Sequence, residues 1–257
     1  MKKERVVLIV NCYNSDTFIE ETLNSLIKQD HPEVKILIVD NLSNDKTIEI
    51  IKKYQSFNKN IILHRLKKHV PLVEARIKAL AVLQKNFEFD FFAFCDSDDI
   101  WQKNWVSKLL SVGNDYDLLY SNGYEFIEKN SIKKNIKIAN SSLERRKNDA
   151  FSTNVYLQSS LFSRKLLRKL GKKFIDANLT VHYDIDLFIK LKKMDINYIH
   201  ISDRLFYYRI HEKSLSSNFK KSSKERLYIT KKYKFPLIIF FAKSLFYKLG
   251  LMRFLNI

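Results

Sequence analysis

Three carboxylates fall within four consecutive positions at Asp96-Ser97-Asp98-Asp99, between the apolar run Phe91-Phe92-Ala93-Phe94-Cys95 and Trp101. At the end of a buried strand they repel one another and resist desolvation, unless a cation or a sugar hydroxyl lies among them. Mg2+ and Mn2+ prefer carboxylate oxygens and keep coordination positions open for phosphate oxygens. A divalent metal carrying a nucleotide diphosphate would satisfy the cluster, with Asp98 as the preferred ligand. A helix N-cap with an acidic first turn before a helix over 101–110 accounts for one or two of the aspartates, and leaves the rest unexplained.

A second polar turn, Asp40-Asn41-Leu42-Ser43-Asn44-Asp45, follows another apolar run. A carboxylate at Asp40 can accept the imide hydrogen of a uracil ring or a ribose hydroxyl. Ser43 or Asn44 can cap the helix that comes next, and capping alone would account for Ser43 and Asp45, so only Asp40 needs more.

The elements that must carry these turns are legible from periodicity. Short apolar runs at 6–10, 34–39, 61–66 and 89–95 alternate with helix-period stretches at 16–29, 45–54 and 72–83. That alternation predicts βαβ units and a largely parallel sheet flanked by helices. In such sheets ligands gather beyond the carboxyl ends of the strands, where residues 11–14, 40–45 and 96–99 fall. The second half predicts strands at 118–120, 155–162, 198–201 and 205–210, and a helix at 183–194. Residues 128–150 are polar and poorly patterned, which predicts an exposed loop over a site or a disordered segment. From Lys220 onward basic residues punctuate an apolar stretch that includes Phe235-Pro236-Leu237-Ile238-Ile239-Phe240-Phe241. A basic amphipathic helix of this kind lies on an anionic membrane or packs on the domain or a dimer partner.

Composition bounds the class. The chain has 257 residues, 46% of them apolar, enough for one large domain with a tail. Lys and Arg outnumber Asp and Glu by 46 to 28, and the net +18 favours an anionic partner such as nucleic acid, a membrane face or a phosphorylated substrate. Much of the excess is Lys beside Asn and Ile, which also arises from compositional drift. Cys12 and Cys95 fit neither a disulfide framework nor a metal spacing, and read as core thiols in a reducing compartment. The start of the chain, Lys2-Lys3-Glu4-Arg5 before Val6, does not read as a signal peptide, and no run reaches the roughly 18 apolar residues of a spanning helix. A cytoplasmic location is the expectation. The competing class, a non-catalytic nucleic-acid-binding protein, draws on the charge and the thirteen tyrosines. It lacks a recognition helix, a zinc pattern or an aromatic-basic RNA signature.

Several motifs in order resemble the inverting nucleotide-sugar glycosyltransferases of family 2, over roughly residues 5–218. Cys12-Tyr13-Asn14 is similar to that family's strand followed by Tyr-Asn, and Ser25-Leu26-Ile27-Lys28-Gln29 to its Ser-Leu-x-x-Gln helix. Asp40-Asn41 with Ser43 and Asp45 resembles the base-binding turn, Ala75-Arg76 the helix beside the diphosphate, and Asp96-Ser97-Asp98 the DxD motif. Tyr183-Asp184-Ile185-Asp186-Leu187 resembles the acidic helix start whose first Asp serves as base, and Tyr208-Arg209-Ile210-His211 with Ser214-Leu215-Ser216 the Tyr-Arg-x-His-x-x-Ser-Leu-Ser segment. The sequence departs from the family at Asn11-Cys12, Leu42, His69-Val70-Pro71, Ile77 and Tyr183.

The resemblance implies a GT-A fold: a Rossmann-like mixed sheet, a nucleotide-sugar-binding half at 1–105, an acceptor-binding half at 106–218 and a helical tail at 219–257. It implies Asp184 as general base. Tyr13, Asn14, Asp40, Arg76, Asp96, Asp98, Arg209 and His211 become donor-binding residues, with Mn2+ or Mg2+ held by Asp98, Asp96 and His211. Asp96 would hold the ribose or a metal-bound water, and Asp99 would shape the turn and cap the next helix. The implied partners are a nucleotide-sugar donor, a UDP-sugar in particular, a glycan or lipid-linked acceptor and the inner membrane surface.

Overall fold

The computed structural model describes residues 3–129, 132–143, 155–211 and 219–236. β1 (Val6–Cys12), β2 (Val34–Asp40), β3 (Ile61–Arg65) and β4 (Phe91–Asp96) are linked by α1 (Ile19–Ile27), α2 (Thr47–Phe57) and α3 (Leu72–Asn86). β1 pairs in parallel with β2 on one side and β4 on the other, and β2 pairs with β3. The chain thus builds outward from β1 through β2 to β3, then crosses back to lay β4 on β1's other side. That reversal is the switch point at which open α/β sheets bind ligands, and it places Asn11 level with Asp96.

Both faces of these strands are covered, which is why they read as unbroken apolar runs. Val7, Ile9, Phe92 and Phe94 pack into one core with Ala75 and Ala79 of α3. Val6, Leu8, Val10, Ala93 and Cys95 pack into the other, with Leu23 and Leu26 of α1 and Ile51 of α2. Both cysteines are buried thiols.

The second half closes the sheet with mixed pairings. β5 (Ile100–Trp101), α4 (Trp105–Leu110), β6 (Leu118–Lys129), β7 (Ile132–Ala139), β8 (Ser160–Ser163), α5 (Arg164–Leu170), α6 (Tyr183–Lys193), β9 (Tyr198–Ile210) and α7 (Phe219–Lys232) follow in order. The sheet runs β3-β2-β1-β4-β8-β6-β9-β5, with β7 paired to β6. Among the described residues no helix is long and apolar enough to cross a membrane.

Four local expectations are corrected. Residues 132–139, read as part of a loop, form an edge strand antiparallel to β6, from Gly123↔Ala139 to Lys129↔Ile132. Lys133, Lys134 and Lys137 hide its pattern, as basic residues on edges do; residues 144–150 lie outside the described residues. The strand expected at 155–162 is a 3-10 turn, Leu157–Ser159, before the short β8. There the hydroxyls of Ser159 and Ser160 both donate to the Tyr156 carbonyl, at 2.7 and 3.0 Å, and divert the backbone from extended pairing. The helix expected from residue 101 begins at Trp105. Ile100 and Trp101 instead pair with β9, while the Ser25 hydroxyl accepts from the Trp101 amide at 3.2 Å. The two strands expected at 198–201 and 205–210 are the single β9, which stays paired with β6 through an irregularity at Ser121–Gly123.

That irregularity depends on a missing side chain, because a Cβ at Gly123 would land on the Phe206 ring. Gly123→Ala should destabilise the fold by about 1–3 kcal/mol through overpacking. Urea denaturation checks it; an unchanged midpoint would mean the β6–β9 contact has room to spare.

Candidate active site

The acidic turn leaves β4 at the switch point. Its three carboxylates offer ligand atoms all within 4.8 Å of one another. They are held from several separate parts of the chain. Asp99 is fully buried and accepts from the Arg209 amide and from Gln158 Nε2, both at 2.9 Å. Gln158 Nε2 also lies 3.4 Å from Asp96 Oδ2, and Arg76 donates to Asp96 Oδ1. Asp98 Oδ2 meets His211 Nε2 at 2.8 Å, and its carbonyl accepts from Arg209 Nε at 2.7 Å. The Arg209 guanidinium is enclosed between Phe18 and Phe126 and ion-paired with Glu21 of α1. It braces the turn from behind.

Burial, then mutual repulsion, pushes the Asp99 carboxyl well above its ordinary range. Burial likewise raises Asp96, in spite of Arg76. These carboxylates, with the His211 imidazole beside Asp98, make an oxygen-rich donor set whose repulsion a divalent cation would relieve, so the residues present fit Mn2+ or Mg2+.

Arg76 ties the turn to the start of α6. Its side chain is 2% exposed, covered by the rings of Phe94 and Tyr183, with Nε and Nη1 unpartnered among the described residues. Both amide atoms of buried Asn11 are unpartnered as well. Polar groups of this kind are costly unless something answers them, so the switch point is short of hydrogen-bonding partners. Asp184 lies in the same field, with Oδ1 accepting from the Ile185 amide at 2.8 Å. Burial raises its carboxyl to about 6.

The N-terminus of α6 is fixed by another helix. Glu225 of α7 accepts from the amides of Thr180, Val181 and His182 at 2.9, 2.8 and 2.9 Å, and from the Thr180 hydroxyl. Lys232 of α7 bridges Asp176 and buried Asp186, at 2.6 and 2.7 Å. Burial pushes the Asp176 carboxyl up, yet Lys232 and neighbouring donors bring it down to about 2. Burial and then Arg226 drive His182 down to about 4, so it is neutral.

The other expected donor residues line the adjoining strand ends. Tyr13 is 45% exposed and lies against His69 with ring centroids 4.2 Å apart. Asn14, at φ 47°, donates its amide to Ser43 Oγ and accepts from the Asn44 amide. Asp40 is enclosed: it accepts from the Leu42 and Ser43 amides and from Arg65 Nε, each at 3.2 Å. Arg65 also donates to the Ser43 carbonyl at 2.8 Å and is exposed.

The structure therefore gathers Asp96, Asp98, Arg76, Arg209, His211 and Asp184 around one crevice, with Tyr13, Asn14 and Asp40 along its β1–β2 edge. Ser214–Ser216 lie outside the described residues. Two roles are corrected: Asp99 caps no helix, since its carboxylate is taken by Arg209 and Gln158. The α2 start is served by Asp45, which accepts from the Thr47 amide at 2.9 Å, and not by Ser43 or Asn44. Sequence reasoning missed Gln158, Glu225 and Arg65. The signal for Gln158 was present, a polar Gln158-Ser159-Ser160 interrupting an apolar run; Glu225 carried none.

The sequence model of glycosyl transferase family 2 matches residues 7–171. TuaG of Bacillus subtilis, a glycosyltransferase provisionally placed in teichuronic acid biosynthesis, is 25% identical over 228 residues, covering 88% of this chain and 87% of TuaG. Among solved structures, S. aureus TarS in complex with UDP-GlcNAc superposes with a TM-score of 0.68 at 23% identity, over 88% of this chain and 64% of TarS 1–349. The mannosyltransferase PcManGT from Pyrobaculum calidifontis, with GDP-Man and Mn2+, gives 0.67 at 16% identity, over 91% of this chain and 65% of that one. The chain spans less than two thirds of each solved structure, and these likenesses speak to fold, which is GT-A-like.

Glu225→Gln should cost about 1.5–3 kcal/mol, the range for hydrogen bonds to a charged group. Burial raises this carboxyl, but its donors hold it below the ordinary 4.5, so its contribution is full above that pH and is lost as acid protonates it. Denaturation at neutral pH and in acid should show the difference between wild type and variant shrinking in acid. A difference independent of pH would contradict the assignment.

Proposed function

This chain belongs to glycosyl transferase family 2, and on that premise we propose that it is a metal-dependent inverting enzyme acting on a UDP-sugar. The acceptor is a hydroxyl of a cell-surface glycan or lipid-linked saccharide. Family membership displaces the non-catalytic nucleic-acid-binding alternative. The observation that carries the reading is the juxtaposition of Asp96, Asp98 and Asp99 with Asp184 across one buried arginine, Arg76.

Inversion needs a base on one face of the anomeric carbon and a leaving group on the other. Asp184, raised to about 6 by burial, is poised to take the acceptor's proton near neutrality. The acceptor oxygen then bonds to the anomeric carbon, while the bond from that carbon to the diphosphate oxygen breaks and its electron pair leaves with the nucleotide. Asp98 and Asp96, with His211, would hold the divalent cation, which when bound neutralises charge on the departing diphosphate. Asp96 can alternatively meet the ribose. Arg76 orients Asp96 and offsets the charge of the carboxylates around it. Tyr13 and Asn14 border the nucleobase, and Asp40 orients Arg65 toward it.

An inner-membrane surface location fits the exposed Lys165, Arg168, Lys169, Lys172 and Lys173 on and just beyond α5, a basic face suited to anionic headgroups. Residues 237–257, the apolar end of the expected tail, lie outside the described residues.

Asp184→Asn should lower transfer by roughly 10²- to 10⁴-fold with donor affinity nearly intact. Turnover near the wild-type rate would remove Asp184 from the mechanism. In the wild type, activity should fall as pH drops through about 6, because a protonated Asp184 cannot accept; an acidic limb centred near the ordinary carboxylate value would argue against it. Asp98→Ala should abolish the Mn2+ dependence of nucleotide binding in calorimetry. Equal affinity with and without Mn2+ in the wild type would mean the turn is not a metal site.

A further inference from the structure

On the far side of the acidic turn from Tyr13 and Asp40, three partly buried side chains meet without serving the donor. The parallel register of β6 and β9 sets Glu125 level with Tyr208, on one face of the sheet. The Tyr156 hydroxyl donates to Glu125 Oε1, and its ring centroid lies 5.8 Å from that of Tyr208. Among the described residues, neither Glu125 Oε2 nor the Tyr208 hydroxyl has a hydrogen-bond partner.

The neighbours of these residues fix their distance from the chemistry. Tyr208 precedes Arg209, whose amide binds Asp99, and Tyr156 stands two residues before Gln158, which binds Asp99 and Asp96. Burial, then the charges of Asp99, Asp96, Asp98 and Asp184, raise the Tyr208 phenol, so it shares the electrostatic field of the turn and the base. A nucleotide lying along the ends of β2, β1 and β4 would direct its sugar toward β6 and β9, where these side chains stand.

We infer that Glu125, Tyr156 and Tyr208 form the acceptor subsite and take a pyranose ring, its apolar face against the tyrosines and a hydroxyl pair on Glu125. The inference rests on the glycosyl-transfer reading above. Aromatic rings offer a sugar's C–H face a large apolar contact, and a carboxylate oxygen accepts from its hydroxyls. The same carboxylate fixes the Tyr156 ring, so the platform is formed before the sugar arrives.

Saturation-transfer NMR on the full chain with UDP and Mn2+ tests this, using the methyl glycosides of glucose, galactose and N-acetylglucosamine as probes. At least one glycoside should receive saturation on its ring protons in the wild type. Its affinity should fall about tenfold in Tyr208→Ala and in the isosteric Glu125→Gln, with UDP affinity unchanged. Two results overturn the subsite: glycoside affinity equal in the wild type and Glu125→Gln, or UDP binding with no glycoside bound. Failure of the wild type to bind UDP at all would instead sink the UDP-sugar reading, and the subsite argued from it.

Discussion

Mutual repulsion among Asp96, Asp98 and Asp99 is the constraint around which the crevice is organised. Three carboxylates whose ligand atoms lie within 4.8 Å cannot be left to themselves at the end of a buried strand. The chain answers with donors from well-separated elements: Arg76 from α3, Gln158 from the 3-10 turn before β8, Arg209 from β9 and His211 just beyond it. The sheet order follows the same need. β9 must lie close enough for Arg209 to brace Asp98 and Asp99, and β8 must sit beside β4 for Gln158 to reach across. The second half of the chain is thus bound to the first through the turn itself.

Those contacts hold the turn in shape without neutralising it. Asp99 keeps a raised carboxyl in spite of two donors, and Arg76 retains nitrogens without partners among the described residues. A polar network left short in this way is more expensive than either a satisfied network or an apolar core, and functional crevices are where such costs are tolerated. The same logic reaches Asp184. Its position depends on the start of α6, and that start is held by Glu225, forty-one residues further along the chain than Asp184. The helix beginning at Phe219 therefore contributes to the geometry of the crevice by holding the start of α6.

The first hundred residues are legible because their strands are buried on both faces and their helices carry one apolar stripe. Periodicity alone locates β1 to β4 and the polar turns at their ends. Legibility fails where tertiary contact overrides local pattern. Trp101 looks like the start of a helix until Ser25 accepts from its amide and β9 pairs with it. Residues 132–139 look like loop because an edge strand need not alternate cleanly. Within the crevice, the carboxylates of the acidic turn announce themselves by type and spacing, and Arg76 and Asp184 through the family resemblance. Gln158 is marked only by a polar break in an apolar run, and Glu225 by nothing, since a glutamate on a Lys-rich helix acquires meaning only from what it touches.

If the acidic turn holds a metal and a nucleotide, anomalous scattering from crystals grown with UDP and Mn2+ will show it. The expected result is one anomalous peak bound by Asp98, with Asp96 or His211 beside it, and diphosphate oxygens on its open side. A nucleotide bound in the crevice with no anomalous peak at the turn, or a peak held by residues elsewhere, would contradict it.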